Sequence, residues 1–218
     1  MSQLLPMNKP MALLSDIHGN LPALEEVLRW LTDREVTSLF VAGDILLGGD
    51  QPLEVWRRLR QAQAHCVRGL SDNALVSIDT RNLEAIGEEQ KAKLERFIRT
   101  RAMIGDLVLK EVRSLPQTLR VPLIDGSEVV ITHGAPTDPN AEISDDLRDE
   151  EMLALIGDDP ADVVVCGATH VPFQRTIEGV HVINVGSVGA APEGRFAHFT
   201  TLMPRMDGAQ IEQHVVEY

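Results

Sequence analysis

The 218-residue chain predicts one α/β domain spanning residues 1–218, built on either two layers of sheet or one large mixed sheet. Three observations carry that fold class. The first half alternates short apolar runs with segments of helical period, and the second half is dominated by strand-like runs. No internal repeat or low-complexity linker divides the two halves.

Met11 to Leu14 reads as a buried strand. Leu21, Leu24, Val27, Leu28 and Leu31 then recur at helical spacing, with Asn20 as the N-cap and Pro22 in the first turn, where a missing N–H costs nothing. Leu39 to Val41 gives the next strand. Asp50 and Pro52 open a second helix with Leu53, Trp56 and Leu59 on one face, and Ala64 to Val67 gives a third strand. Strand–helix–strand–helix–strand in this order predicts parallel pairing with right-handed crossovers. Residues 81–114 are rich in Lys, Arg and Glu, with Leu94, Phe97, Ile98, Ile104, Leu107 and Val108 at helical spacing. They predict two helices in a small lid or insertion, their charges forming a solvated face. Further strands are expected at Leu119–Leu123, Val129–Thr132, Val163–Cys166, Phe173–Ile177 and Val180–Val185, interrupted by one helix at about Asp146–Ile156. Glu178-Gly179 and Asp207-Gly208 mark hairpins near the end. Met1 to Pro10 has neither a basic leader nor an apolar signal core and is expected to be a short untidy tail.

Composition narrows the partners. Twenty basic residues against 33 acidic ones give a net charge of −13, which repels polyanions and argues against broad nucleic-acid binding. A small phosphorylated substrate stays open, because a bound metal supplies local positive charge that composition does not count. No apolar run approaches the ~20 residues of a membrane helix, so no membrane partner is expected and the cytoplasm is the default location. Cys66 and Cys166 make no disulfide framework and no metal-type pair; each lies in an apolar stretch, as buried structural thiols do.

Acids and histidines fall just past the apolar strands, where loops of an α/β sheet build sites. They are Asp16 and His18, then Gly43-Asp44, then the run Arg68-Gly69-Leu70-Ser71-Asp72-Asn73, then His133-Gly134, then Gly167-Ala168-Thr169-His170. Residues two apart on an extended chain point to one side, so Asp16 and His18 can meet one metal. A lone Asp at a strand end is more often a turn or cap residue, and a lone His more often a structural hydrogen-bonder; five strand ends in agreement point to a site. Mixed carboxylate and imidazole donors suit Mn, Fe, Ni or Zn better than Ca.

At these residues the chain resembles the calcineurin-like metallophosphoesterase superfamily, particularly its small bacterial members. The resemblance runs from about Met11 to the end and implies an αββα sandwich of two mixed sheets flanked by helices. Family motifs Asp-X-His, Gly-Asp and a lone His-Gly match Asp16, His18, Asp44 and His133, and His170 matches the last position of Gly-His-X-His. Leu115-Pro116 and Asn184-Val185-Gly186-Ser187-Val188-Gly189 also look like family segments. The resemblance implies a first metal held by Asp16, His18, Asp44 and His170, and a second shared by Asp44 with His133. Leu70 replaces the family Asn, Ala168 the first His of Gly-His-X-His, and neither offers a lone pair. One tight site is therefore expected, Mn²⁺ first and Fe, Ni or Zn as alternatives, with a weak or absent second site. Asn73 and His65 are the nearby candidates to fill the gap.

The family's acid His is Ser71 here, and the Asp that holds it is Asp72, so Ser71 and Asp72 are the weak candidates for catalysis. Arg68 is a candidate phosphate clamp, with a surface salt bridge as the plain alternative; Asn20 is a helix cap before it is a substrate contact. Ser187 reads as part of a tight turn, and His181, His198 and His214 as structural or exposed. The resemblance implies a hydrolase in which metal-activated hydroxide attacks phosphorus in line, on phosphodiesters or activated phosphomonoesters. The competing reading is a catalytically impaired relative that binds phosphate or nucleotide, or docks a protein partner.

Overall fold

Alternate residues of strand β1 (Met11–Leu14) serve two different cores, and this explains why the run is apolar throughout. In the computed structural model, which describes residues 5–80, 85–158 and 161–218, Met11 and Leu13 face inward between two sheets. Ala12 and Leu14 face outward under helices.

The first sheet has the order β10-β9-β1-β2-β3, with β2 at Ser38–Val41, β3 at His65–Cys66, β9 at Phe196–Arg205 and β10 at Gly208–Glu217. β1, β2 and β3 pair in parallel, as their intervening helices require, and β9 and β10 complete the sheet antiparallel. The second sheet has the order β4-β5-β6-β8-β7, with β4 at Thr118–Pro122, β5 at Glu128–Thr132, β6 at Val163–Cys166, β7 at Phe173–Ile177 and β8 at Val180–Asn184. Here β5, β6 and β8 are parallel and the flanking β4 and β7 antiparallel. Phe40, Ala42 and Val67 of the first sheet meet Val121, Val129, Ile131, Val165 and Ile183 of the second.

Helices cover both outer faces. α1 (Leu21–Thr32) and α2 (Pro52–Gln61) bury Leu24, Val27, Leu28, Leu31, Val55, Trp56 and Leu59 against the first sheet. α5 (Asp149–Ile156) packs Met152 and Ile156 on the second, with Val130, Val164 and Val182. The architecture is two mixed sheets flanked by helices, an αββα sandwich. Asn20 caps α1, its Oδ1 accepting from the Ala23 N–H at 3.2 Å. The β7–β8 hairpin turns at Glu178 and Gly179, both at positive φ (47° and 86°), as a tight two-residue turn demands.

α3 (Leu70–Ser77) precedes the charged segment 81–114, which forms α4 (Gly87–Arg113); residues 81–84 lie outside those described. Gly105 (φ 71°, ψ 172°) breaks α4 into two helical pieces. Phe97, Ile104 and Val108 are buried in the first-sheet core, but Ile98 and Leu107 face solvent: the apolar period is imperfect and α4 packs through one stripe. Trp56 Nε1 donates to Glu111 Oε2 at 2.8 Å and Arg99 pairs with Asp50 at 2.8 Å, tying α4 to α2 and to the loop before it. Met7 forms an isolated bridge with Leu123. Cys66 and Cys166 are free and buried, and burial pushes both thiols up to about 12. Among the described residues no helix is long and apolar enough to cross a membrane.

Candidate metal centre

Parallel pairing brings the C-terminal ends of β1, β2, β5 and β6 to one edge of the sandwich, and the loops there interlock through their backbones. Asp16 N–H donates to Gly43 O at 3.0 Å, His18 N–H to Asp44 O at 3.0 Å, and Gly167 N–H to His133 O at 2.9 Å. Asn184 is fully buried and donates to Gly167 O at 2.7 Å; Ser187 Oγ donates to Asp16 O at 2.8 Å. Ser187 is therefore a buried brace of the site loop.

Asp16, His18, Asp44, Ala168 and His170 all have left-handed backbone, with φ of 54°, 51°, 51°, 69° and 63°. Asp16 and His18 converge as expected, but not by the expected route. They are not successive outward positions of an extended strand; the chain turns sharply past β1, a strain that proteins keep mainly at sites. Two glycines make room. A Cβ on Gly69 would stand 2.1 Å from Asp44 Oδ1, and one on Gly167 would stand 2.0 Å from Ser15 Oγ and 2.6 Å from Asp16 Oδ2.

Two donor groups result, Asp16 with His18 and His170, and Asp16 with Asp44 and His133. Asp16 Oδ1 lies 3.4 Å from His18 Nε2 and 3.2 Å from His170 Nε2, and those two nitrogens are 3.1 Å apart. His133 Nε2 is 3.4 Å from Asp44 Oδ1. The resemblance makes Asp44 the shared residue, whereas here Asp16 belongs to both groups and Asp44 sits with His133. The Ser71 N–H donates to Asp44 Oδ1 at 2.8 Å.

Each ring is aimed the same way. His18 Nδ1 meets Leu47 O at 2.7 Å, His133 Nδ1 meets Ala42 O at 2.8 Å, and His170 Nδ1 meets Ala190 O at 3.0 Å. A proton on each Nδ1 leaves every Nε2 lone pair turned to the carboxylates, the arrangement of metal-binding histidines. Asp16 Oδ1 is buried and accepts no well-formed hydrogen bond. An unpartnered buried carboxylate oxygen among converging Nε2 atoms fits a divalent transition metal.

The electrostatics agree. Burial would raise the Asp16 pKa, but the close approach of His170 and His18 holds its carboxyl far below the usual range. Burial would lower His18, but Asp16 and then Asp44 lift it to about 9; Asp16 likewise raises His170. In the metal-free protein, protons on these rings supply the positive charge that a cation would otherwise bring.

Other expected residues fall elsewhere. Asp72 is fully buried, its oxygens accepting from Ile45 N–H at 3.1 Å and Gly69 N–H at 3.1 Å. It clamps the start of α3 to the Asp44 loop and does not line the cavity, which corrects the catalytic assignment. Burial and the neighbouring Asp44 charge push it up to about 6. Arg68 donates to Arg113 O at 2.8 Å and is not a cavity residue, so it brackets backbone and is not placed as a phosphate clamp. His65 is exposed and stacks on Phe40, away from both groups. Leu70 is 53% exposed and gives neither group a donor.

A cavity of about 630 Å³ opens over the first group, lined by His18, His170, Asn20 and Ser71. Asn20 Nδ2 donates to Gly189 O at 3.0 Å and Tyr218 Oη at 2.9 Å, and Ser71 Oγ is buried without a partner. Leu47, Lys93, Arg96 and Phe97 also line it. The α4 charges expected to form a solvated face therefore include two that line the cavity; the apolar spacing around Phe97 is the sequence signal that this turn packs inward.

The model of the calcineurin-like phosphoesterase superfamily domain matches residues 10–204. The uncharacterized protein MJ0912 of Methanocaldococcus jannaschii is 28% identical over 198 residues, 84% of this chain and 77% of its own length. Among solved structures, the hypothetical protein PH1004 of Pyrococcus horikoshii OT3 superposes with a TM-score of 0.79 at 22% identity, covering 96% of this chain and 88% of that one. A metallophosphoesterase from Sphaerobacter thermophilus superposes with a TM-score of 0.74 at 24% identity, covering 97% and 89%. These likenesses carry the fold, and the match over residues 10–204 carries the family. This chain belongs to the calcineurin-like phosphoesterase superfamily.

Proposed function

We propose that this protein is a metal-dependent phosphoesterase hydrolysing phosphodiesters or activated phosphomonoesters, with Mn²⁺ as the first choice of metal. The observation that carries the reading is the convergence of His18 and His170 Nε2 on the unpartnered Asp16 Oδ1 at the base of an open cavity. Asp16, His18 and His170 would hold the metal beside the substrate; Asp44 and His133, with Asp16, would hold a weaker second one. When bound, the metal supplies Lewis-acid activation of water and of the phosphoryl group.

The chain's own residues set the preference. Ser71 faces the cavity where the family carries its acid, and a serine hydroxyl is a poor proton donor near neutral pH. Its N–H also fixes Asp44, which keeps Ser71 at the site but not as an acid. Leaving groups of low pKa are therefore favoured. Mn²⁺-loaded protein should hydrolyse bis(p-nitrophenyl) phosphate, with the rate falling steeply as leaving-group pKa rises across an aryl phosphodiester series. Metal-loaded protein that binds these esters without turnover would instead support the binding-module reading, and a flat dependence would reveal another acid.

A further inference from the structure

The cavity above the first donor group is not electrostatically typical of this molecule. The chain carries 33 acidic residues against 20 basic ones, yet among the described residues no Asp or Glu lines the wall of this cavity above Asp16. Its charged walls are the α4 residues Lys93 and Arg96, one helical turn apart. Lys93 is partly engaged, its Nζ 2.6 Å from Glu89 Oε1. Among the described residues Arg96 pairs with no carboxylate, while Arg99, the next turn, is taken by Asp50. That Arg99–Asp50 pair lies on the surface and links α4 to the loop that follows Gly48 and Gly49, one turn from Arg96. Leu47, Phe97 and Ala190 give the same cavity apolar lining beside Asn20 and Ser71.

We infer that Arg96, with Lys93 beside it, binds a second anionic group of the substrate, whose organic part lies against Leu47 and Phe97. This inference rests on the phosphoesterase reading and narrows it: the substrate is an organic phosphoester bearing two anionic groups, one at the histidines and one at α4. A guanidinium suits the outer position because its planar fork matches phosphate or carboxylate oxygens in pairs.

The test uses thymidine 5′-(p-nitrophenyl phosphate) with and without a 3′-phosphate, which share a leaving group and differ by one anion. Mn²⁺-loaded wild type should favour the 3′-phosphorylated ester by about tenfold in kcat/KM, mostly through KM. Arg96→Gln should bring that ratio close to one, and Arg96→Lys should recover part of it. Lys91→Gln, on the same helix but outside the cavity, controls for net charge and should keep the wild-type ratio. Calorimetry with thymidine 3′,5′-bisphosphate and thymidine 5′-monophosphate separates this inference from the catalytic one. Absence of hydrolysis with a bisphosphate preference that Arg96→Gln abolishes would sink the phosphoesterase reading and keep the anion site. No preference in wild type, or an unchanged preference in Arg96→Gln, overturns the site itself. Arg96 is exposed, so the variants should fold, and thermal melting checks that they do.

Discussion

The two donor groups are built on one shared carboxylate yet differ in access. His18 and His170 are half-buried and line the cavity, whereas Asp44 and His133 are 7% and 3% exposed and lie behind it. A cation in the first group is reachable by substrate. One in the second depends on what the surrounding loops supply, and there Leu70 turns to solvent and Ala168 ends at a methyl group. The difference teaches that the imidazoles of the first group face the cavity, while Asp44 and His133 are enclosed.

The largest effect should come from the shared residue. Asp16→Ala removes a donor from both groups and leaves the two ring nitrogens 3.1 Å apart without their counter-charge. Mn²⁺ affinity by calorimetry should fall by more than about 100-fold, beyond the loss usual for a merely supporting residue. His133→Ala should leave the tight equivalent in place; equal losses from both variants would show that the groups act as one site.

Next is the pH dependence of the first group. The His18 pKa is raised to about 9 in the folded metal-free protein, above its unfolded value. Its contribution to stability is fully present below about pH 6.5 and is lost as pH rises through 9, worth up to about 3 kcal/mol. Metal must displace that proton, so affinity rises over the same interval. The difference in Tm between Mn²⁺-loaded and metal-free protein should widen from pH 6.5 to 9, and a constant difference would contradict a protonated metal-free site.

The smallest effect expected is a gain. Leu70→Asn with Ala168→His returns two donors to the enclosed side. Ala168 already holds left-handed backbone (φ 69°) and its N–H already donates to Asp16 Oδ2 at 3.1 Å, so the exchange adds side-chain volume without new backbone strain. The double variant should bind a second metal and gain about tenfold in phosphodiester hydrolysis, about 1.4 kcal/mol of barrier. Two bound metals with no gain would mean that the cavity side alone sets the rate.

The chain order of strands, helices and polar loops was enough to determine the parallel β1–β2–β3 unit, the Asn20 cap and the Glu178-Gly179 hairpin. These follow from local periodicity and turn chemistry, which a sequence carries explicitly. The same order put Asp16, His18, Asp44, His133 and His170 at strand ends, which parallel pairing gathers at one edge. Tertiary structure decided the rest. That Asp44 Oδ1 accepts from the Ser71 N–H, 27 residues along the chain, is visible only in the folded chain. That Asp72 and Arg68 brace backbone depends on how α3 and α4 dock. Which face of α4 turns to the cavity is likewise set by packing of Phe97 under the first-sheet helices, so only the folded chain separates Arg96 from its equally charged neighbours.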